Sequence, residues 1–226
     1  MVITTIDYFS SKHPLRKMAT QTAYQARKRM FDFFLSVTEV TPATKVLDLG
    51  VTPDRKLADS NFFEQFYPYK ANITATSIED ASFLEIEYPG LRFVQTQADI
   101  LPFENQAFDI AFCSAVLEHV GSRENQAHFI AEMLRVSKYF FLTTPNRQFP
   151  IEVHTFLPLL HWLPQATHQA ILRKLGLSFW AQTENLNLLT PNSLLKLFPD
   201  EAKLNLHQHR VLGLSSNLVA YGTSGK

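Results

Sequence analysis

The stretch ADILPFENQAFDIAFCSAVLEHV, residues 98–120, constrains the fold of this chain more than any other. Within it, residues 108–113 form an apolar run with the length of a strand buried in a parallel sheet. Three polar residues, Ser114, Glu118 and His119, follow the carboxyl end of that run. Because open α/β sheets bind ligands outside the carboxyl ends of their strands, the stretch predicts an α/β fold with a ligand site at this point.

Segments of strand and helix character alternate along the rest of the chain, which is typical of a parallel sheet covered by helices. The predicted strands are residues 44–49, 73–77, 92–95, 108–113 and 139–143. The predicted helices are residues 19–38, 55–66, 78–88 and 125–136. Residues 207–212 and 218–221 flank a glycine-containing turn, and we expect them to pair as a hairpin.

Composition narrows the classes of function. The chain has 226 residues, a length that suits one decorated α/β domain. Lys and Arg number 21, as do Asp and Glu, so no global charge attracts nucleic acid, and we expect no nucleic-acid partner. The single cysteine, Cys113, falls in a predicted strand, which excludes a disulfide framework and a cysteine zinc site. We expect no metal.

The hydrophobic pattern predicts a cytoplasmic location. The first residues lack a basic flank followed by an apolar core, so they do not resemble a signal peptide. We also find no run of about 18 apolar residues, the length that a membrane-spanning helix needs.

Three stretches resemble the class I S-adenosylmethionine (SAM) dependent methyltransferases, in particular the type 11 group of bacterial small-molecule enzymes. The pattern of that group is D-x-x-x-L-P-F, a few polar residues, F-D-x-x-x and an L-E-H-V-like end, and residues 98–120 resemble it, with D-x-L-P-F at residues 99–103. KVLDLG, residues 45–50, is similar to the family's first strand and the start of its SAM-binding loop. YFFLTTPNR, residues 139–147, is similar to its fifth strand. The resemblance covers roughly residues 40–147, in the family's order.

The resemblance implies a Rossmann-like fold: a seven-stranded, mostly parallel sheet with helices on both faces and an antiparallel C-terminal hairpin. We expect one methyltransferase-like domain over residues 1–226. Its expected parts are an N-terminal helical segment at 1–40, a SAM-binding core at 41–147, a helical insertion over the acceptor side at 148–190, and a C-terminal helix and hairpin at 191–226.

The resemblance also implies SAM as the cofactor and assigns residues to it. Asp48 would orient the loop or the methionine amine, and Gly50 would allow the close approach of the methionyl part. Asp99 would accept a hydrogen bond from the adenine amino group, with Ile100 against the ring. Ser114 would lie under the methionyl end.

Two positions depart from the family pattern. The loop after Asp48 keeps only Gly50 of the usual glycines, and Pro53 removes an N–H donor and fixes its own φ. Where the family places a carboxylate for the ribose hydroxyls, this chain has Ser77, with Glu79 and Asp80 a small shift away. These departures keep an alternative open, a non-catalytic Rossmann-like binding or partner protein. Hydride transfer is disfavoured, because the G-x-G-x-x-G spacing is missing.

The implied reaction is an in-line attack of an acceptor O, N or C on the SAM methyl group, for which positioning supplies much of the rate. If the acceptor is a hydroxyl, His119 is the first candidate for the base and His154 the second. Equally, His119 could cap the strand and hydrogen-bond Glu118 or backbone. The expected acceptor is a small molecule: a lipid, a quinone or a saccharide-linked group.

The insertion suggests how such an acceptor is reached. Its segment VHTFLPLLHWLP, residues 153–164, predicts either short helices packed on the sheet edge or an apolar cover that contacts the acceptor or a membrane surface. The ubiquinone O-methyltransferase group is similar in having extra helices here. Residues 12–29 carry six basic and no acidic side chains, which predicts a solvated face or an attraction to phosphate, carboxylate or membrane. The basic residues are Lys12, Arg16, Lys17, Arg27, Lys28 and Arg29. The sequence does not predict the oligomeric state.

Overall fold

The computed structural model describes residues 16–55, 60–97 and 100–225, and side chains within these ranges from residue 24 onward. Seven strands form one sheet in the order β3-β2-β1-β4-β5-β7-β6. They are β1 Val46–Leu49, β2 Ile73–Ser77, β3 Arg92–Gln95, β4 Phe108–Ser114, β5 Ser137–Pro145, β6 Lys203–Val211 and β7 Leu214–Thr223.

The sheet is parallel from β3 to β5, and β7 runs antiparallel between β5 and β6. This confirms the predicted seven-stranded, mostly parallel sheet and its antiparallel C-terminal hairpin. The order reverses between β1 and β4, because β2 and β3 lie on one side of β1 and the later strands on the other. In sheets of this type, the crevice at the point of reversal is where ligands bind.

Helices cover both faces of the sheet, as predicted. The α-helices are α1 Arg16–Val37, α2 Phe62–Phe66, α3 Phe83–Glu87, α4 Arg123–Val136, α5 Gln165–Lys174 and α6 Pro191–Leu195. Short 3₁₀ helices lie at Lys70–Asn72, Leu117–His119 and Leu160–Trp162. The start of α4 is fixed by Ser122, whose hydroxyl accepts from the Asn125 N–H at 3.3 Å.

Two predicted helices are shorter in the structure. The helix predicted at 55–66 is α2 alone within the described residues, preceded by Asn61 in a left-handed conformation with φ 50°. The helix predicted at 78–88 is α3 alone, because the Asp80 carboxylate accepts from the Ser82 N–H at 2.9 Å and forms a local turn before the helix. The left-handed Asn61 and the Asp80 turn each come before the helix that forms.

Alternation along β4 separates two hydrophobic cores. Ile110 and Phe112 face an aromatic core with α1 and α2, which also contains Phe34 and Phe63. Cys113, on the opposite face, packs in an aliphatic core with α4 and α6. The two cores fix the sheet between its helices and so hold the carboxyl ends of the strands in place.

The insertion after β5 packs on the carboxyl edge of the sheet. It has a small core of its own, made by Leu172, Trp180, Ala181, Leu186 and Leu188. The Asn187 N–H donates to the Glu118 carbonyl at 2.8 Å, which ties the insertion to the segment after β4. Within the described ranges, no helix combines the length and apolarity needed to cross a membrane.

Candidate functional site

The loop after β1 begins with two amides directed at one carbonyl. Gly50 and Val51 both donate to the Thr76 carbonyl, at 2.8 and 3.1 Å. Gly50 has φ +93°, and a Cβ at this position would overlap Cγ2 of Val116, in the segment after β4. Val116 therefore packs in the space that a side chain at position 50 would fill, which only glycine leaves open.

The next residues of the loop are held by side chains. Asn61 binds the backbone of Thr52 twice, accepting from its N–H and donating to its carbonyl, each at 2.9 Å. The Asp54 N–H donates to the Thr52 hydroxyl at 3.1 Å, and Pro53 has no N–H. Every backbone donor from Gly50 to Asp54 is thus used inside the protein in this conformation. A ligand in the crevice has to be held by other groups.

A buried carboxyl pair, Asp48 of β1 and Glu64 of α2, lies next to this loop. Burial raises the pKa of both carboxyls, and the neighbouring Asp48 charge raises that of Glu64 further. Among the described residues, neither oxygen of ionised Glu64 has a donor. One proton shared between the carboxyls satisfies the pair, with Glu64 donating to Asp48. The proposed contact of Asp48 with a cofactor stays a prediction.

The end of β2 carries two carboxylates, those of Glu79 and Asp80. The Ser77 hydroxyl accepts from the Glu79 N–H at 3.2 Å, and Asp80 Oδ1 accepts from the Ser82 N–H. The Glu79 side chain is half-buried and forms no hydrogen bond within the described residues. Of the three residues considered for the ribose position, Glu79 is therefore the one whose side chain forms no hydrogen bond within the described residues.

Two further predicted cofactor residues lie in the described part. Ile100 is 69% exposed, so its side chain is accessible to a flat ring. Ser114, the last residue of β4, shares a 2.9 Å hydrogen bond with the Thr143 hydroxyl of β5. Asp99, the predicted adenine contact, lies outside the described residues.

Four side chains meet at the carboxyl ends of β4 and β5, and we call them the histidine–carboxylate cluster: Glu118, His119, Glu152 and His154. The His119 and His154 rings are 4.8 Å apart at 83°. His119 Nε2 lies 3.8 Å from Glu118 Oε1, and His154 Nδ1 lies 2.6 Å from Glu152 Oε1. The structure therefore brings together the two histidines that the sequence suggested as bases. Glu152 was missed, although an acid two residues before a histidine in an apolar segment is a usable signal.

Burial and neighbouring charge set the protonation of these histidines. Burial, aided by the charge of His154, lowers the pKa of His119 to about 3, so its ring is neutral. Burial would also lower the pKa of His154, but the Glu152 carboxylate outweighs it and raises this pKa. His119 Nδ1 lies 2.6 Å from the Asn185 carbonyl, which requires the proton on Nδ1 and leaves the lone pair on Nε2.

A small basic pocket of about 40 Å³ lies beside the cluster. Its polar lining includes Arg123, Arg147, His161 and His168, and no carboxylate belongs to that lining. Arg147 also donates from Nε to the His161 carbonyl at 3.0 Å, which fixes the insertion to the end of β5. His161, which belongs to the apolar segment 153–164, is buried.

Known proteins share this architecture. The model of a family described as "Methyltransferase domain" matches residues 47–139, from β1 into β5. Residues 47–139 of this chain are therefore similar to a methyltransferase domain. This confirms the resemblance found in residues 98–120 and 45–50.

Ubiquinone biosynthesis O-methyltransferase of Coxiella burnetii is 30% identical over 96 residues, which are 40% of this chain and 41% of that protein. The match thus spans about two fifths of the length of the curated relative. A SAM-dependent methyltransferase of Methanosarcina mazei superposes with a TM-score of 0.53 at 16% identity, covering 81% of this chain and 94% of that one. Magnesium protoporphyrin IX methyltransferase of Synechocystis, solved with bound S-adenosylhomocysteine (SAH), gives 0.57 at 12% identity and covers 96% and 90%. At these identities the two structures establish the fold.

Proposed function

We propose that this methyltransferase transfers a methyl group from SAM to a small-molecule acceptor at the crevice between β1 and β4. The observation that carries the proposal is the position of the histidine–carboxylate cluster. It lies at the carboxyl ends of β4 and β5, on the edge where sheets of this type bind their ligands.

The residues around the crevice fit SAM mainly at its nucleoside end. Glu79 would bind the ribose hydroxyls in place of Ser77, and Ile100 together with Asp99 would hold the adenine. At the methionyl end, Ser114 supplies a hydroxyl, while the loop amides from Gly50 to Asp54 are already used. Bound SAM supplies a methyl group that its sulfonium has already activated.

His119 is the group that we propose as the base for a hydroxyl acceptor. Its Nδ1 proton is held by the Asn185 carbonyl, so Nε2 presents a lone pair. The Trp180 ring lies 6.2 Å from the His119 ring and 4.9 Å from the His154 ring, which covers the cluster with an apolar surface. A partly dry site of this kind favours positioning of the acceptor over competing water.

The insertion supports an acceptor with an apolar portion, such as a lipid or a quinone. Its residues 151–163 expose four large apolar side chains: Ile151, Leu159, Trp162 and Leu163. Such a surface can hold the tail of an acceptor or touch a membrane from which the acceptor is taken. The ubiquinone O-methyltransferase of Coxiella burnetii acts in quinone synthesis by name, which favours a quinol-type hydroxyl as the first acceptor to try.

A second candidate function is a non-catalytic binding or partner protein with the same fold. It is favoured by the loop after β1, whose backbone donors are all used internally, and by Val116, which fills the space over Gly50. The two functions differ in whether a ligand-sized cleft remains beside Asp99, which SAH binding to the full chain measures.

The activity is tested with SAM carrying a labelled methyl group and a panel of quinols, phospholipids and sugar conjugates. We expect transfer to one class of acceptor. In His119→Gln, kcat should fall by about 10²- to 10⁴-fold, the usual share of a general base, while SAH binds as in the native chain. Equal kcat in the variant would remove His119 from the mechanism. Absence of SAH binding by the native chain would favour the partner protein.

A further inference from the structure

We propose that Glu118, His119 and His154 form a binding site for a divalent transition-metal ion of the Zn²⁺ type. One ligand atom from each residue can be chosen so that all three atoms lie within 4.8 Å of one another. Glu118 and His154 are buried and His119 is half-buried. The residues come from the segment after β4 and from the insertion after β5, which the fold brings to one edge.

Both histidines are oriented as metal ligands are. His119 Nδ1 lies 2.6 Å from the Asn185 carbonyl, and His154 Nδ1 lies 2.6 Å from Glu152 Oε1. A neutral imidazole that donates from Nδ1 carries its lone pair on Nε2. Histidines that bind metals almost always donate their other nitrogen to a carboxylate or a carbonyl, which fixes the ring. Glu152 and the Asn185 carbonyl supply these two partners.

The third ligand is a carboxylate oxygen in need of a partner. Glu118 is fully buried, and its Oε2 accepts from the Thr144 hydroxyl at 2.9 Å. Within the described residues its Oε1 has no hydrogen-bond partner, and this oxygen is the one 3.8 Å from His119 Nε2. A buried carboxylate oxygen without a donor is unfavourable, and a cation between it and the imidazoles would compensate its charge.

Two imidazoles and one carboxylate are a recognised ligand set of Zn²⁺ in catalytic sites, where a fourth position stays open. Bonds of about 2.0–2.2 Å in tetrahedral geometry would bring the ligand atoms to about 3.4 Å from one another. The cluster therefore has to contract by roughly an ångström, which side-chain rotation can supply. The Trp180 ring, 4.9 Å from that of His154, provides an apolar wall.

The ligand set does not follow from the family match. His154 and Glu152 lie in the insertion, outside residues 47–139. The expectation of no metal followed from the single cysteine, whereas the ligands proposed here are two histidines and a glutamate. The base role proposed above for His119 belongs to the metal-free chain, since one lone pair cannot both bind a cation and accept a proton.

The test is metal binding to the full chain, with no methyl transfer required. Chelator-treated protein is titrated with Zn²⁺ by calorimetry and with Co²⁺ by visible absorption, which reports tetrahedral coordination. We expect one ion per chain. Glu118→Gln and His154→Gln should each lower affinity by more than 100-fold, and Glu152→Gln by about 10- to 100-fold as an orienting group. His128→Gln, an exposed histidine of α4, should bind as the native chain does.

Circular dichroism and the melting temperature of each variant without metal show whether the variant is folded. A loss of metal binding can then be distinguished from a loss of structure. Zn²⁺ should raise the melting temperature of the native chain and of His128→Gln, and leave that of folded Glu118→Gln unchanged. Affinity equal in the native chain and in the cluster variants would overturn the proposal. Loss of binding in His209→Gln, on β6, with the cluster intact would also overturn it, because it would place the ion elsewhere.

Discussion

The buried carboxyl pair Asp48–Glu64 should make this protein less stable as the pH rises. One substitution should remove this dependence. In the unfolded chain, both carboxyls ionise at their ordinary pKa values of 3.8 and 4.5. In the folded chain, burial raises both pKa values and the Asp48 charge raises that of Glu64 further, so the pair retains a proton that the unfolded chain has lost. Stability is therefore full below these ordinary values and is lost as the pH rises toward the raised pKa of Glu64.

The size of the effect follows from one retained proton. Each pH unit in this window lowers the free energy of unfolding by about 1.4 kcal/mol. Two pH units within this window therefore lower it by about 3 kcal/mol, a large part of the stability of an ordinary domain. Glu64→Gln places an amide that donates to Asp48 without taking up a proton. The variant should lose this slope and be more stable than the native chain at neutral pH.

The assay is urea unfolding, followed by tryptophan fluorescence at several pH values from mildly acidic to mildly alkaline. The control is Glu39→Gln, which removes an exposed carboxyl. Other ionisable groups affect all three proteins alike and cancel in the differences. Parallel pH curves for the native chain and Glu64→Gln would refute the shared proton.

Two further substitutions test how the loop after β1 is held. Gly50→Ala should destabilise the protein by roughly 2–4 kcal/mol, from the left-handed backbone conformation and the overlap with Val116, and Val116→Ala in the same chain should restore part of this in thermal melts. Asn61→Ala removes both bonds to the Thr52 backbone and should cost about 1–3 kcal/mol in urea unfolding, with more protease cleavage in the loop. An unchanged cleavage pattern would mean that Asn61 does not hold the loop.

Most of the sheet could be predicted from sequence, because period-two burial and strand length are local signals. Residues 92–95 were predicted as a strand and form β3 with the same bounds. The predicted C-terminal hairpin is present, but its strands are longer than predicted, since β6 and β7 continue to a turn at Leu212 and Gly213. Two predicted helices are shorter in the structure, at the points where Asn61 and Asp80 hydrogen-bond to backbone groups. Hydrophobic periodicity does not report such hydrogen bonds.

The site was predictable only in part, because local sequence patterns do not show which distant side chains meet in the folded protein. His119 and His154 were chosen from their chemistry, and the structure places their rings in contact. Glu64 was not foreseen beside Asp48, because nothing in the chain signals which side of α2 faces β1. Glu152 became visible as a partner of His154 only once the insertion was folded onto the sheet.

Calorimetric titration of the full chain with SAH tests whether the crevice between β1 and β4 binds SAM, as we claim. We expect one equivalent to be bound by the native chain and by Glu39→Gln, and a large loss of affinity in Asp99→Ala and in Glu79→Ala. No binding by the native chain at millimolar SAH would contradict the claim, and would identify the chain as a methyltransferase-like protein that no longer uses the cofactor.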